Sequence, residues 1–261
     1  MQTWAIANQK GGVGKTTTTL SIGRGLASRG LRVLMLDLDP HSSLTRAFGV
    51  PDEPAPRGVV DLFDPAPPAL AELAMPTAIA GLDLIASQAT LATLERRSAT
   101  QPGLGMALSQ TFAHQAGLRW DYVLLDCPPM LGLLMVNALA AADHLVVPTQ
   151  TEPLALHGLA GMQRTAQMVA RSRQRPLQVS VLPTLYDRRT GVANETLRKM
   201  HDAWPGQVWD DAIPLDTRLS NILSLTQPLS GDRFPGRGTS AYRRALDWLL
   251  ERDHGEPDAR P

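Results

Sequence analysis

Lysine and arginine are unevenly used in this chain, and that imbalance points to its chemistry. Of 25 basic residues only three are lysine: Lys10, Lys15 and Lys199. Two of them fall in one stretch, Lys10-Gly11-Gly12-Val13-Gly14-Lys15-Thr16-Thr17. A compact ammonium has few substitutes where a phosphate must be gripped as a point charge. Glycines let the backbone curl so that successive N–H groups aim at phosphate oxygens. A helix beginning at the end of such a loop adds the positive end of its dipole. The pattern predicts a phosphate loop in which Lys15 reaches the β- and γ-phosphates and Thr16 offers its hydroxyl to Mg²⁺.

Two acidic strand ends accompany the loop. Asp37-Leu38-Asp39-Pro40-His41 follows the apolar run Leu31–Leu36, and Asp126-Cys127-Pro128-Pro129 follows Tyr122–Leu125. In an open α/β sheet, ligands sit at the carboxyl ends of strands, so these carboxylates fall near the loop. An aspartate ending an apolar strand matches the pattern that holds Mg²⁺ through water, here Asp126. Cys127 has no evident base beside it and reads as a small buried neighbour.

These residues need elements to position them. Apolar runs at 3–8, 31–36, 122–125, 145–147 and 179–182 predict strands, and stretches at 15–29, 132–142, 156–172 and 192–203 predict helices. Strands alternating with helices imply an α/β fold, a mostly parallel doubly wound sheet with helices on both faces. Continuous apolar strands imply burial from both sides. The length of 261 residues suits one large α/β domain, expected over residues 1–252. Residues 253–261 are expected to fray as a tail. Seven prolines between 51 and 76 predict an irregular surface excursion.

Composition excludes several classes. A single cysteine permits no internal disulfide and fits a reducing cytoplasm. The first residues carry no signal-peptide pattern, and no apolar run is long enough to span a bilayer, so integral membrane association is not expected. Charge is balanced, 25 basic against 25 acidic, so nucleic-acid binding requires a local patch.

The motif set resembles the ParA/MinD family of deviant Walker-A P-loop ATPases, most closely its ParA members. Gln9 stands where the ordinary motif has its first glycine, and the neighbouring Lys10 is the family's extra lysine. The resemblance implies that Lys10 crosses a dimer interface to the partner's nucleotide. It implies that Asp39 orients the attacking water and that Asp37 supports the magnesium shell. Pro148-Thr149-Gln150-Thr151-Glu152 and Ile213-Pro214-Leu215-Asp216-Thr217-Arg218 resemble further family segments. Pro214 and Asp216 fall at its adenine contacts, and Arg188, Arg189 and Arg218 match its DNA-binding arginines. Gly238-Thr239-Ser240-Ala241-Tyr242 closes the resemblance.

The expected protein is thus an ATP- and Mg²⁺-dependent ATPase that dimerises with ATP and binds duplex DNA without sequence preference. A ParB-like or cargo-adaptor activator is implied, with a place on the nucleoid. No DNA-reading domain is expected before the first strand. The arginines at 164, 171, 173 and 175 add a basic stretch. The alternative within the family is a MinD-type ATPase that coats membrane through a basic C-terminal helix. Here acids at 251, 253, 256 and 258 follow the apolar residues 242, 245, 246, 249 and 250, and anionic lipid repels such an end. The last helix is expected to pack on the fold instead. An iron–sulfur electron-transfer relative would need more cysteines than one.

Overall fold

The computed structural model describes residues 1–97, 104–114, 119–173, 175–228 and 236–254. The first half contains β1 (Gln2–Ile6), α1 (Lys15–Ala27), β2 (Val33–Asp37), α2 (Ser43–Ala47), α3 (Leu70–Leu73), β3 (Met75–Pro76), β4 (Leu82–Ile85), α4 (Leu91–Arg97), α5 (Ala107–His114) and β5 (Tyr122–Asp126). The second contains α6 (Leu133–Ala141), β6 (His144–Gln150), α7 (Pro153–Arg171), β7 (Gln178–Thr184), α8 (Gly191–Ala203), α9 (Thr217–Ser220), α10 (Ile222–Leu225) and α11 (Arg237–His254). Short 3-10 turns lie at Val59–Phe63 and Leu104–Met106.

The strands form one seven-stranded sheet in the order β3-β4-β2-β5-β1-β6-β7. All neighbours pair in parallel except β3 with β4. Pleating sends alternate residues to opposite faces. Ala5, Leu34, Leu36, Val123, Leu125 and Val147 face one core, with α6 and α7. Trp4, Ile6, Val33, Met35, Leu124 and Val146 face the other, with α1 and α11. Both faces are therefore covered, which explains why the strands read as continuous apolar runs.

Three expectations change. The proline-rich stretch is not wholly a surface excursion. Val59, Leu62, Phe63, Leu70 and Leu73 are buried, and its last residues form the edge strand β3. Apolar side chains between the prolines anchor it, and Pro76 sits where an edge strand tolerates a missing N–H. The second strand starts at Val33, later than Leu31. Helix α11 continues through His254, past the expected boundary at 252, and residues 255–261 of the expected tail lie outside the described residues.

Tyr242, Ala245, Leu246 and Leu249 of α11 are buried in the core shared with α1. The Asp253 carboxylate accepts from Trp4 Nε1 (3.3 Å) and the Tyr122 hydroxyl (3.2 Å), and Arg252 Nη1 donates to Gly206 O (2.6 Å). The apolar stripe that a membrane helix would turn outward is engaged inside. Among the described residues no helix is long and apolar enough to cross a membrane.

Candidate functional site

The loop between β1 and α1 turns on glycines. Gly12 and Gly14 have φ of 74° and 90°, the left-handed region that side chains avoid. A Cβ at Gly11, Gly12 or Gly14 would meet nothing within 4 Å, so the loop encloses open space. Helix α1 starts at Lys15 with no side-chain cap, leaving its first N–H groups pointed at that space. Neighbouring elements brace the loop. Thr184 Oγ1 donates to Val13 O (2.9 Å), Asn8 Nδ2 to Pro148 O (2.7 Å) and Gln9 Nε2 to Thr165 Oγ1 (3.2 Å).

The two lysines behave differently. Lys15 is buried and its Nζ donates to Lys10 O (3.2 Å), so it folds back over the loop. Burial lowers its pKa, and Asp126, Cys127 and Asp39 oppose that shift. The Lys10 ammonium leaves its own loop and pairs with Glu152, just before α7. Val13, Thr16 and Thr17 complete the turn and the first residues of α1.

Asp37 and Asp126 are cross-strand partners at the carboxyl ends of β2 and β5, and Ile6 at the end of β1 pairs with Asp126 as well. The sheet itself thus sets the carboxylates beside the loop. Burial, then mutual repulsion, pushes the Asp126 pKa well above the carboxylate range, and burial is the main cause for Asp37. Asp37 Oδ2 accepts from Thr45 N (2.8 Å) and Thr45 Oγ1 (2.7 Å), and Oδ1 from Asp39 N (3.1 Å). It therefore ties the segment after β2 and the start of α2 to the strand end. Asp126 Oδ1 accepts from Thr19 Oγ1 (3.1 Å). Its Oδ2 is buried with no partner of hydrogen-bond geometry, although the nearby Thr16 hydroxyl favours its ionised form. An orphaned, fully buried carboxylate oxygen beside an open glycine loop fits a bound cation. Among the described residues no cluster of three or more His, Cys, Asp or Glu could hold a metal unaided. That agrees with Mg²⁺, which keeps waters and takes phosphate oxygens as ligands.

Asp39 lies at the rim. Its Oδ1 accepts from His41 N and Nδ1, both at 2.9 Å, and its carbonyl accepts from Ser87 Oγ (2.6 Å). Cys127 is buried, its thiol is pushed up by burial, and Sγ reaches only Leu125 O, at 3.5 Å.

A second cluster adjoins the loop. Chain leaving β7 passes Thr184 and enters Leu185–Thr190; Tyr186 bridges Pro214, and Leu215 N donates to Tyr186 O (2.9 Å). Arg189 and Arg218 therefore stand on adjacent segments. Arg189 is exposed and held two-pronged by Asp187, through Nε at 2.9 Å and Nη2 at 2.7 Å. Arg188 is exposed too. Asp216 ties two helices together. Its Oδ1 caps α9 by accepting from Arg218 N (3.0 Å), and Oδ2 accepts from Gly238 N (3.0 Å). Through these two bonds Asp216 links α9 to α11, and each of its oxygens keeps a further lone pair. The expected basic stretch shrinks as well. Arg173 donates to Leu139 O (2.6 Å) and to Ala142 O, and Arg175 to Ala141 O (2.7 Å) while pairing with Asp143 (2.6 Å). These two cap the end of α6, which has orphan carbonyls to satisfy. Only Arg164 and Arg171 remain of that stretch. Thr184 and Asp187 were missed, because a lone strand threonine or loop aspartate carries no local signal.

A glycine loop open to solvent at a strand–loop–helix junction, flanked by two acidic strand ends, is the arrangement of a P-loop ATPase. A family model described as an AAA domain matches residues 1–179. The chromosome partitioning protein ParA of Caulobacter vibrioides is 34% identical over 251 residues, covering 95% of this chain and 94% of that protein. The chromosome-partitioning ATPase Soj of Thermus thermophilus is 36% identical, covering 95% of each. A Mycobacterium smegmatis structure described as cobyrinic acid a,c-diamide synthase, with bound ADP and magnesium, is 33% identical with a TM-score of 0.82 over all of both chains. Apo McdA of Cyanothece shares the fold with a TM-score of 0.83 at 22% identity, over 96% of this chain and 99% of that one. This chain belongs to the ParA-type family of P-loop ATPases.

Proposed function

We propose that this protein is a Mg·ATP-switched homodimer that binds duplex DNA without sequence preference and uses hydrolysis to segregate or position DNA or a large cargo. The observation that carries the reading is the division between its two loop lysines. Lys15 covers its own cradle, while Lys10 is directed outward onto Glu152, where a second subunit's nucleotide can recruit it. Relatives named for chromosome partitioning, and one with bound ADP and magnesium, support the same reading.

In this account Gly11–Gly14 and the start of α1 bind the phosphates, and Lys15 neutralises the β- and γ-oxygens. Thr16 and Asp126, with Asp37 behind them, would hold Mg²⁺, which would supply charge neutralisation at the transferring phosphate. Asp39 accepts a hydrogen bond from the attacking water and orients it. Pro214 borders the adenine end. Arg189 and Arg218 meet DNA phosphates, and a ParB-like or cargo-adaptor protein accelerates turnover. The protein works on the nucleoid.

A mobility-shift titration with Mg·ATP on two unrelated duplexes tests the DNA half. Equal binding to both, steeply weakened by salt and lost in Arg218→Glu, is expected. Sedimentation with anionic vesicles in place of DNA binding would contradict it.

A further inference from the structure

The arginine face contains another cation, which the motif resemblance did not include. Arg237 is the first residue of α11 and is exposed. Glycines on either side fix its place. Gly236 has φ +103° and lies so close to Arg218 that a Cβ there would sit 3.1 Å from Nη1. Gly238 N donates to Asp216 Oδ2 (3.0 Å), while Asp216 Oδ1 holds Arg218 N (3.0 Å). The clamp thus sets the start of α11 against the start of α9.

The loop bearing Arg189 closes the cluster. It is tied to Pro214 and Leu215 through Tyr186. Arg237 also helps hold the carboxyls of Asp187 and Asp216 below the usual range, behind the larger effects of their own hydrogen-bond partners. Among the described residues it forms no ion pair within 4 Å. A cation at the first position of a helix opposes the helix dipole, and the first turn of α11 contains no acid. Arg237 therefore does not serve helix stability.

We infer that Arg237 is a further phosphate-contacting residue of the DNA face, and that Asp216 is the positioning residue that locks it beside Arg218. This rests on the DNA reading above. Three segments, the loop after β7, the start of α9 and the start of α11, then each present an arginine to one stretch of backbone. Phosphate contact releases counterions whatever the base sequence, so the face suits duplex DNA in general.

The experiment is a set of Mg·ATP-dependent DNA titrations at several salt concentrations, with thermal unfolding as a check on folding. The wild type is compared with Arg237→Gln, Arg237→Lys, Arg218→Gln, Asp216→Ala and Arg119→Gln. Arg119 pairs with Asp83 (2.9 Å) at the opposite end of the sheet and serves as an equal loss of charge elsewhere. Arg237→Gln is expected to flatten the log–log salt slope by about two units per dimer, one contact from each subunit. Arg237→Lys restores the slope, Arg119→Gln leaves it unchanged, and Asp216→Ala weakens DNA binding and flattens the slope. If Arg237→Gln keeps the wild-type slope while Arg218→Gln flattens it, the inference is wrong and the DNA reading survives. If the wild type binds neither duplex, the DNA reading fails and takes this inference with it.

Discussion

In the proposed function Lys10, Lys15 and Asp39 divide the work at the residue scale, and each predicts its own phenotype. Lys15→Ala should lose nucleotide affinity by a factor of ten or more, about the 1.4 kcal/mol or greater that a charge-assisted contact contributes. Lys10→Ala should bind nucleotide normally yet fail to dimerise, because its ammonium stands outside its own cradle. Fluorescent-nucleotide titration beside light scattering separates the two, and equal loss of affinity in both variants would refute the division. The gathering of Lys15, Thr16 and Asp126 around one loop was legible because glycine spacing and strand-end aspartates are local patterns. The engagement of Asp216 was not, since its partners Arg218 N and Gly238 N depend on how α9 meets α11.

Another residue sets a pH dependence far from the nucleotide. His144 is buried on β6, with Nε2 2.8 Å from Ser180 Oγ and Nδ1 unpartnered. Burial, then the Arg252 charge, lowers its pKa to about 3. The unfolded chain takes up this proton near pH 6.5, while the folded chain refuses it until about 3. Stability is therefore whole above pH 6.5 and declines as pH falls toward 3, by up to about 1.4 kcal/mol per unit from this group. His144→Gln should lower the absolute melting temperature and flatten its fall between pH 6.5 and 5. An unchanged slope would show that His144 titrates freely.

Elements were legible in proportion to their periodicity. Helices α1, α6, α7 and α8 and strands β1, β2, β5, β6 and β7 carried clear apolar patterns. β3 and β4 did not, being short and lying beyond a proline-rich stretch that hides its anchoring residues. One anchor is Gly58, where a Cβ would lie 2.2 Å from the backbone oxygen of Ala86. Gly58→Ala should destabilise the fold by about 1–3 kcal/mol, read by denaturant unfolding, because backbone cannot yield as a side-chain tip can. A neutral outcome would mean that the excursion is not pinned there. The end of α6 supplies a contrasting case. A run of arginines without acids looks like a nucleic-acid surface, yet Arg173 and Arg175 bind the carbonyls of Leu139, Ala141 and Ala142. Arg173→Ala should cost about 1.5–3 kcal/mol of stability and leave the DNA salt slope unaltered. A flattened slope would return Arg173 to the DNA face.

For the whole molecule, the sheet order places β1, β2 and β5 side by side, and their carboxyl ends gather the loop, Asp37 and Asp126. β7 leaves the same end and carries the chain past Val13 into the arginine loop, so the candidate nucleotide site and the proposed DNA face share one edge. A second subunit engaging through Lys10 would bring two such faces together, which a neutral chain needs for strong phosphate binding. Everything specific to this account depends on that dimer. The measurement is the light-scattering mass of Asp39→Ala with Mg·ATP, where blocked hydrolysis preserves the assembled state. The account predicts twice the chain mass of 28.2 kDa with ATP, and the single-chain mass with ADP or after adding Lys10→Ala. A mass that stays at 28.2 kDa with saturating Mg·ATP would contradict it.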